Sequence, residues 1–280
     1  MTAGHVLARV SRWARRVALL VALAFALAPI YWLFTMATES PTQIVAGNPS
    51  FLPRLGGFGG ITHPPLDVPI AQWFLNTVLV AAGTAVVAVV IAVTAAFGLS
   101  RFRFRGNGAF RVLVMFTQML PATLLVVPLY AMMTQIDLIN SLPGLILTNA
   151  AFTAPVCLWV VKGAMDSVPR ELDEAARVDG SSMFGVLRTI VLPLAAPGVA
   201  AAATIAFFFG WNDFVFANTF LIGQNVSVLS KGLASMITLY STPVPFLMAV
   251  ASLYCLPPMI FFVLMQRRLV AGLTAGAVKG

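Results

Sequence analysis

Six apolar runs divide this 280-residue chain, at about 17–34, 73–99, 110–133, 142–164, 195–221 and 245–265. A helix needs about 20 such residues to cross the hydrocarbon core of a bilayer. No water reaches backbone N–H and C=O groups there, so only helices and closed barrels can span it. Barrel strands read as about ten residues of alternating polarity, whereas these runs are longer and continuously apolar. The expected fold class is therefore all-α, a polytopic membrane protein with six transmembrane helices. The composition agrees: 60% hydrophobic residues, 9% charged residues and a mean hydropathy of +0.94 lie far outside the soluble range.

The formal charge of +8 suggests a nucleic-acid partner, but the distribution of basic residues refutes it. Arg9, Arg12, Arg15 and Arg16 precede the first run, and Arg101, Arg103, Arg105 and Arg111 lie between the second and third. Lys162, Arg170, Arg177 and Arg188 flank or occupy the fourth connection, and Arg267, Arg268 and Lys279 follow the last run. The opposite connections carry only Arg54 and Lys231, so fifteen basic residues face two. Such asymmetry follows the positive-inside rule and predicts that both termini are cytoplasmic. The implied organisation is a cytoplasmic segment 1–16, a membrane domain 17–265 and a cytoplasmic tail 266–280, in a multi-pass membrane protein. Membrane lipid, not nucleic acid, is the expected surrounding.

The first run resembles a signal peptide up to Ala26-Leu27-Ala28, but Pro29 argues against cleavage there and the apolar stretch continues to Phe34. Cys157 and Cys255 fall inside runs and read as packing residues without a disulfide framework. The outward segment 35–72 contains Gly56, Gly57, Gly59, Gly60, Pro64 and Pro65, which favours turns and irregular structure. A second outward connection covers 222–243, and a third, 134–141, is short. Pro121, Pro128, Pro155, Pro197, Pro257 and Pro258 interrupt the later runs. They suit helices that bend between states, although prolines are frequent in membrane helices generally.

Polar residues inside the runs are few: Asn76, Gln118, Asn149, Asn212 and Asp213. An intramembrane carboxylate at Asp213 would suggest an ion relay. The simpler reading places it at the outer interface with Trp211 as an aromatic anchor.

One block breaks the apolar pattern. Residues 162–188 contain five acids and four bases, including Glu171, Asp173, Glu174 and Asp179. Ser167 and Pro169 read as a helix start, and the acids complement the positive end of the helix dipole. Leu172, Ala175 and Ala176 form a small apolar face. Gly180 supplies a left-handed stop. Ser181 or Ser182 can cap a second helix to about Ile190, before Pro193. Two short helices around a glycine corner make a slim protrusion suited to a cleft on a soluble partner. Adsorption to the membrane surface fits less well, because the block is net acidic and the inner leaflet is negative.

Glu174-Ala175-Ala176, Gly180 and Ile190-Val191-Leu192-Pro193 together resemble the EAA loop of permeases in binding-protein-dependent ABC importers. The tail from Arg267 to Gly280 resembles that of the maltose-type second permease subunit, and Trp211-Asn212-Asp213-Phe214 is similar to a recurrent feature of carbohydrate permeases. The resemblance implies the ABC importer permease fold, with 165–193 as a coupling loop seated on a cytoplasmic ATPase. It assigns the contact to Glu171, Glu174, Ala175, Ala176, Asp179 and Gly180, with Leu192 and Pro193 anchoring the loop. Gly276, Val278, Lys279 and Gly280 would reach between the ATPase subunits, and 222–243 would probe a docked binding protein. The implied partners are a second permease subunit, an ATPase dimer and an extracytoplasmic solute-binding protein. ATP and Mg would sit on the ATPase, with no cofactor in this chain.

The residues agree with that division of labour. A phosphate-binding loop needs Gly-Lys followed by Ser or Thr, yet Lys162, Lys231 and Lys279 are each followed by Gly. His5 and His63 lie outside the runs on opposite sides, so no metal cluster or catalytic triad can be assembled. A transport subunit and not an enzyme is expected, carrying a sugar or related carbohydrate compound. The alternatives are an ion-gradient-driven secondary transporter, with Asp213 as its candidate ionisable group, and an ABC permease for a non-sugar solute such as a glycerol-phosphate compound. No residues for substrate binding are assigned.

Overall fold

The computed structural model describes residues 3–54, 68–237 and 242–277, and among these the chain is helical without strands. The glycines of 56–60, His63, Pro64 and Pro65 lie outside the described residues, as do Val278, Lys279 and Gly280. Two compact units form: Met1–Val68 with Ser235–Cys255, and Pro69–Ala234 with Leu256–Gly280.

In the first unit, α1 (Ala3–Ala37) runs through the first apolar segment, and Pro29 lies inside it. Side chains from Trp13 to Phe34 are mostly exposed, so this helix contributes surface more than core. A short helix, α2 (Pro41–Val45), follows, its N-terminus capped by Ser40. Beyond this one helical turn, the described residues 46–54 are turns and irregular backbone, as expected for the segment.

The Glu39 carboxylate accepts from the Ser40 amide at 2.9 Å and the Ser50 amide at 2.7 Å, and pairs with Arg54 at 3.2 Å. Those amides, first Ser40 and then Ser50, hold its carboxyl below the usual range; burial opposes them and Arg54 assists. A depressed carboxyl stabilises the fold above its unfolded pKa, and this contribution is lost as pH falls through the folded value. Protection of the Ser50 amide against hydrogen exchange should therefore fall on acidification below the ordinary carboxylate range. Glu39→Gln should flatten that dependence.

The second unit contains α3 (Ile70–Arg101), α4 (Asn107–Thr117), α5 (Ala122–Gln135), α6 (Leu142–Asp166), α7 (Arg170–Val178) and α8 (Met183–Val186). A π-helical turn (Leu187–Val191) leads into α9 (Leu192–Leu194), α10 (Ala196–Asn212), α11 (Val215–Phe220) and α12 (Leu229–Ser235). The last helix, α13 (Val244–Ala277), gives its first part to the first unit and the remainder to the second.

Helices α3, α6 and α10 pack on one another most extensively. Lipid tails are as apolar as leucine, so membrane helices associate through close packing of small residues more than through hydrophobic burial. Ala88, Ala92 and Ala96 on α3 are fully buried and share a cluster with Ala150, Ala154 and Cys157 of α6 and Ala202 and Ala206 of α10. Cys157 is a buried free thiol that contacts the Ala202 carbonyl at 3.4 Å, and Cys255 is also free. Cys157 therefore acts in packing.

Four described helical stretches are long and apolar enough to cross a membrane: Trp13–Ala37, Ile70–Arg101, Leu142–Asp166 and Val244–Gln266. The third run, expected as a single helix, is broken, and the fifth bends sharply away from the preceding helix at its entry, where Pro193 was expected to punctuate it. Asn107–Thr117 and Ala122–Gln135 meet at 100°, and Met183–Leu194 and Ala196–Asn212 meet at 80°. Counting each bent pair as one span brings the number to six. Proline explains both breaks. Pro121 lacks an N–H and disfavours helical backbone at Leu120. Pro197 cannot donate to the Pro193 carbonyl, and the chain turns at Ala195. Pro128 and Pro155, by contrast, remain inside α5 and α6.

The fifth run also ends at Asn212 instead of continuing to 221. Asp213 leaves the helix with ψ 124°, and its carboxylate accepts from the Phe216 and Ala217 amides at 3.2 and 3.1 Å. Asn149 of α6 approaches the same carboxylate at 3.4 Å, so Asp213 has a structural task in capping α11. Trp211 is not an interfacial anchor: it is fully buried and stacks on Phe207.

The connection after α11 is strapped to the start of α3. Trp73 donates to the Gln224 carbonyl at 2.8 Å, and Asn76 donates to the carbonyls of Asn225 and Ser227 at 3.0 and 2.8 Å. The Leu229 amide donates to Thr77 at 2.8 Å. Asn76, polar within an apolar run, is thus satisfied by loop carbonyls. Lys231 donates to the Leu221 carbonyl, and burial lowers its pKa.

Candidate functional site

The charged block folds as expected around its glycine corner, with a different start. Ser167 closes α6 and donates to the Ala164 carbonyl at 2.7 Å; it does not cap α7. Pro169 occupies the N-cap position, because it disfavours helical backbone at Val168 and so separates the two helices. Glu171 and Asp173 lie in the first turn of α7, where acids meet the positive end of the helix dipole.

At the other end, the Gly180 amide donates to Arg177 O at 3.1 Å and the Ser181 amide to Ala176 O at 2.9 Å. This is the Schellman pattern, which needs a left-handed residue. Gly180 supplies it with φ +87°. Ser182 then caps α8 by accepting from the Gly185 amide at 3.1 Å.

The second helix of the block does not stop near Ile190. It widens into a π-helical turn in which the Leu192 amide reaches back to Leu187 O. That turn sits just ahead of Pro193, whose missing N–H leaves the Thr189 carbonyl without its usual donor. Val191 is fully buried and Leu192 packs against the alanine-rich core, whereas Pro193 is exposed. The Leu192 half of the expected anchor therefore makes the packing contact.

The exposed surface of α7 carries Arg170, Glu171, Leu172, Glu174, Ala175, Arg177 and Val178, followed by Asp179 and Gly180. Val178 is 87% exposed, and Phe184 on α8 is 70% exposed. Ala176 instead turns inward and packs half-buried on the core, so the apolar face expected for Leu172, Ala175 and Ala176 is split. A charged, partly apolar protrusion of this kind offers charge for orientation and apolar area for contact.

What the sequence reading missed is how this protrusion is held. Asp173 is the buried side chain of α7, and its Oδ2 lies 2.7 Å from Arg101 Nε at the end of α3. Arg101 Nη2 donates to the Val168 carbonyl at 3.1 Å, and Nη1 donates to Ser100 Oγ at 3.3 Å. Ser100 Oγ donates to Asp166 Oδ1 at 2.6 Å, and Arg170 Nη2 donates to Ser100 O at 2.6 Å. Lys162 completes the set through Asp166. A pocket of about 120 Å³ opens beside the ion pair, lined by Arg101, Arg170, Asp173, Glu174, Arg177 and Met183. Removing one partner of a buried pair costs about 3–5 kcal/mol, since the other charge is left uncompensated. Arg101 entered the sequence reading only as a topogenic charge. No local signal joins it to a segment 67 residues away.

Of the tail residues, Gly276 lies in α13, while Val278, Lys279 and Gly280 are outside the described residues. Among the described residues no group of His, Cys, Asp and Glu is arranged to hold a metal ion.

Residues 88–274 match the family described as "Binding-protein-dependent transport system inner membrane component". The chain is 32% identical over 264 residues to the diacetylchitobiose uptake system permease protein DasC of Streptomyces coelicolor, covering 94% of this chain and 95% of that one. It is 30% identical over 276 residues to the trehalose transport system permease protein SugB of Mycobacterium tuberculosis, covering 97% and 98% respectively. Its fold is similar, with TM-score 0.78 and 22% identity, to a chain of a bacterial ABC transporter involved in the import of the acidic polysaccharide alginate, covering 92% of this chain and 96% of that one. With the family matched over most of the chain and the relatives over nearly all of it, this protein belongs to the inner membrane components of binding-protein-dependent transport systems, as a permease subunit of an ABC importer and not its ATPase.

Proposed function

We propose that this permease subunit moves a sugar or related carbohydrate across the bacterial inner membrane, driven through α7 and its glycine corner by a separate ATPase dimer. A second permease subunit would complete the pathway, and an extracytoplasmic binding protein would deliver the solute. Carbohydrate as the solute class is supported by relatives named for diacetylchitobiose uptake and trehalose transport.

The observation that carries the coupling reading is the exposed charged and apolar surface of α7, with Glu174, Ala175 and Val178 outward and a Schellman corner at Gly180. Glu171 and Asp179 extend its charge. In this arrangement both termini and the 165–193 loop face the cytoplasm, consistent with the basic residues flanking them. Closure of the ATPase dimer on ATP and Mg would displace α7, and the spans would rock between inward- and outward-open states. Gly276, Val278, Lys279 and Gly280 would reach between the ATPase subunits, and the segment 222–243 would meet the binding protein.

Glu174→Arg tests the docking surface. Reversing an interfacial charge costs several kcal/mol, so affinity for the ATPase should fall by about a hundredfold or more. Insertion should be unaffected, because the side chain is exposed. Co-purification of the ATPase with the variant at the wild-type level would remove α7 from the interface.

A further inference from the structure

We propose that Arg101 is a positioning residue that ties α7 to the end of α3, so that displacement of the protrusion is passed directly to α3. This rests on the docking role of α7 proposed above. The covalent route from α7 runs only to its chain neighbours, α6 through Val168–Pro169 and α8 through the Gly180 corner. The route through space is different. The buried carboxylate of α7, Asp173, is paired with a guanidinium from α3, and both side chains are nearly excluded from solvent at 11% and 4% exposure.

The chemistry of the contact suits a directional link better than a packing contact. An apolar pair of similar volume would hold two helices together as well as a buried ion pair does, or better. A guanidinium fork, by contrast, sets angle as well as distance. Arg101 directs hydrogen bonds to the Val168 carbonyl just before α7 and to the Ser100 hydroxyl, and these orient it while its Nε forms the ion pair with Asp173 at 2.7 Å. Arg170, the first residue of α7, returns a bond to the Ser100 carbonyl, one of the last carbonyls of α3. The two helix ends therefore grip one another reciprocally.

Asp173 Oδ1 has no hydrogen-bond partner among the described residues, so the hold of α7 on α3 rests on its Oδ2. The receiving helix is well placed, since α3 packs extensively on both α6 and α10. A shift at its end reaches the alanine-rich core without passing through the loop.

Hydrogen exchange of the permease assembled with its partner subunits, with and without ATP and Mg, tests this without knowledge of the solute. In the wild type, nucleotide should alter exchange both in α7 and in the last turn of α3. In Arg101→Gln the α7 response should persist, while the nucleotide-dependent difference in α3 should shrink at least about fivefold. Ser100→Ala, which removes a single oxygen, should shrink it in the same direction and serves if Arg101→Gln does not assemble. A purely structural role would change exchange equally in both nucleotide states and leave the difference intact. An undiminished α3 response in these variants, or no α3 response in the wild type, overturns the proposal while leaving the docking of α7 standing. Absence of any α7 response in the wild type overturns the docking role itself, and the link with it.

Discussion

Gly180→Pro is expected to abolish ATP-driven uptake while leaving the protein inserted in the membrane at its normal level. Gly180 holds φ +87°, a region that the proline ring forbids by locking φ near −65°. The substitution also deletes the Gly180 amide that donates to Arg177 O, and it displaces the Ser181 amide bonded to Ala176 O. The local cost is about 3 kcal/mol or more, and it falls on an exposed corner whose own side chains lie outside the alanine-rich core. The expected outcome is therefore a folded permease whose protrusion no longer presents Glu174, Ala175 and Val178 in one orientation. Gly180→Ala is expected to fall between the two, because left-handed backbone costs an L-residue about 1–2 kcal/mol. Uptake into reconstituted vesicles, with quantitative immunodetection of inserted protein, measures both. Wild-type uptake by the proline variant would show that the corner does not transmit force.

Gly210→Leu is expected to prevent accumulation of the folded permease altogether. A Cβ at this position would lie 2.9 Å from Thr84 Oγ1, 3.0 Å from Thr84 Cβ and 3.1 Å from Ala81 Cα. The last of these is backbone, which cannot rotate away, so α3 and α10 would have to separate. Overpacking costs about 1–3 kcal/mol and occasionally more, and a four-carbon side chain against backbone should reach or exceed the top of that range. Fluorescence-detected size-exclusion chromatography should show the loss of the monodisperse peak. Gly210→Ala combined with Thr84→Gly should recover part of it, since the hydroxyl contact is relieved while the Ala81 contact remains. A monodisperse Gly210→Leu protein would mean that the α3–α10 contact is not what holds the unit together.

The parts of the protein that were legible in the sequence are those whose causes are local. The glycine corner could be placed because Gly180, the acids before it and Ser182 after it act within one or two turns of the backbone. Apolar run length located the long helices for the same reason. Even so, local signals compete. Ser167 carries a hydroxyl suited to capping and precedes a proline, yet its hydroxyl bonds backward to Ala164 and closes α6 instead. Prolines likewise differ in effect. Pro121 and Pro197 stand at breaks, whereas Pro128 and Pro155 are accommodated inside helices. Hydropathy averaged over a run is blind to that difference. Asp213 ended the fifth run early because its carboxylate captures amides of the following helix, an outcome that run length alone does not report.

The sequence by itself determined that this chain crosses a membrane as helices, carries no phosphate-binding loop of its own, and presents a charged two-helix block with a glycine corner. Each of these follows from composition or from residues within a few positions of one another. Only the tertiary structure decided that Arg101 and Ser100 grip the block through Asp173, Val168 and Asp166, that Trp211 is buried, and that alanines of α3, α6 and α10 share one seam. The physical reason is the range of the interactions. Capping and turn formation act along the chain, whereas an ion pair bridging distant segments exists only once helix packing has brought its partners within bonding distance.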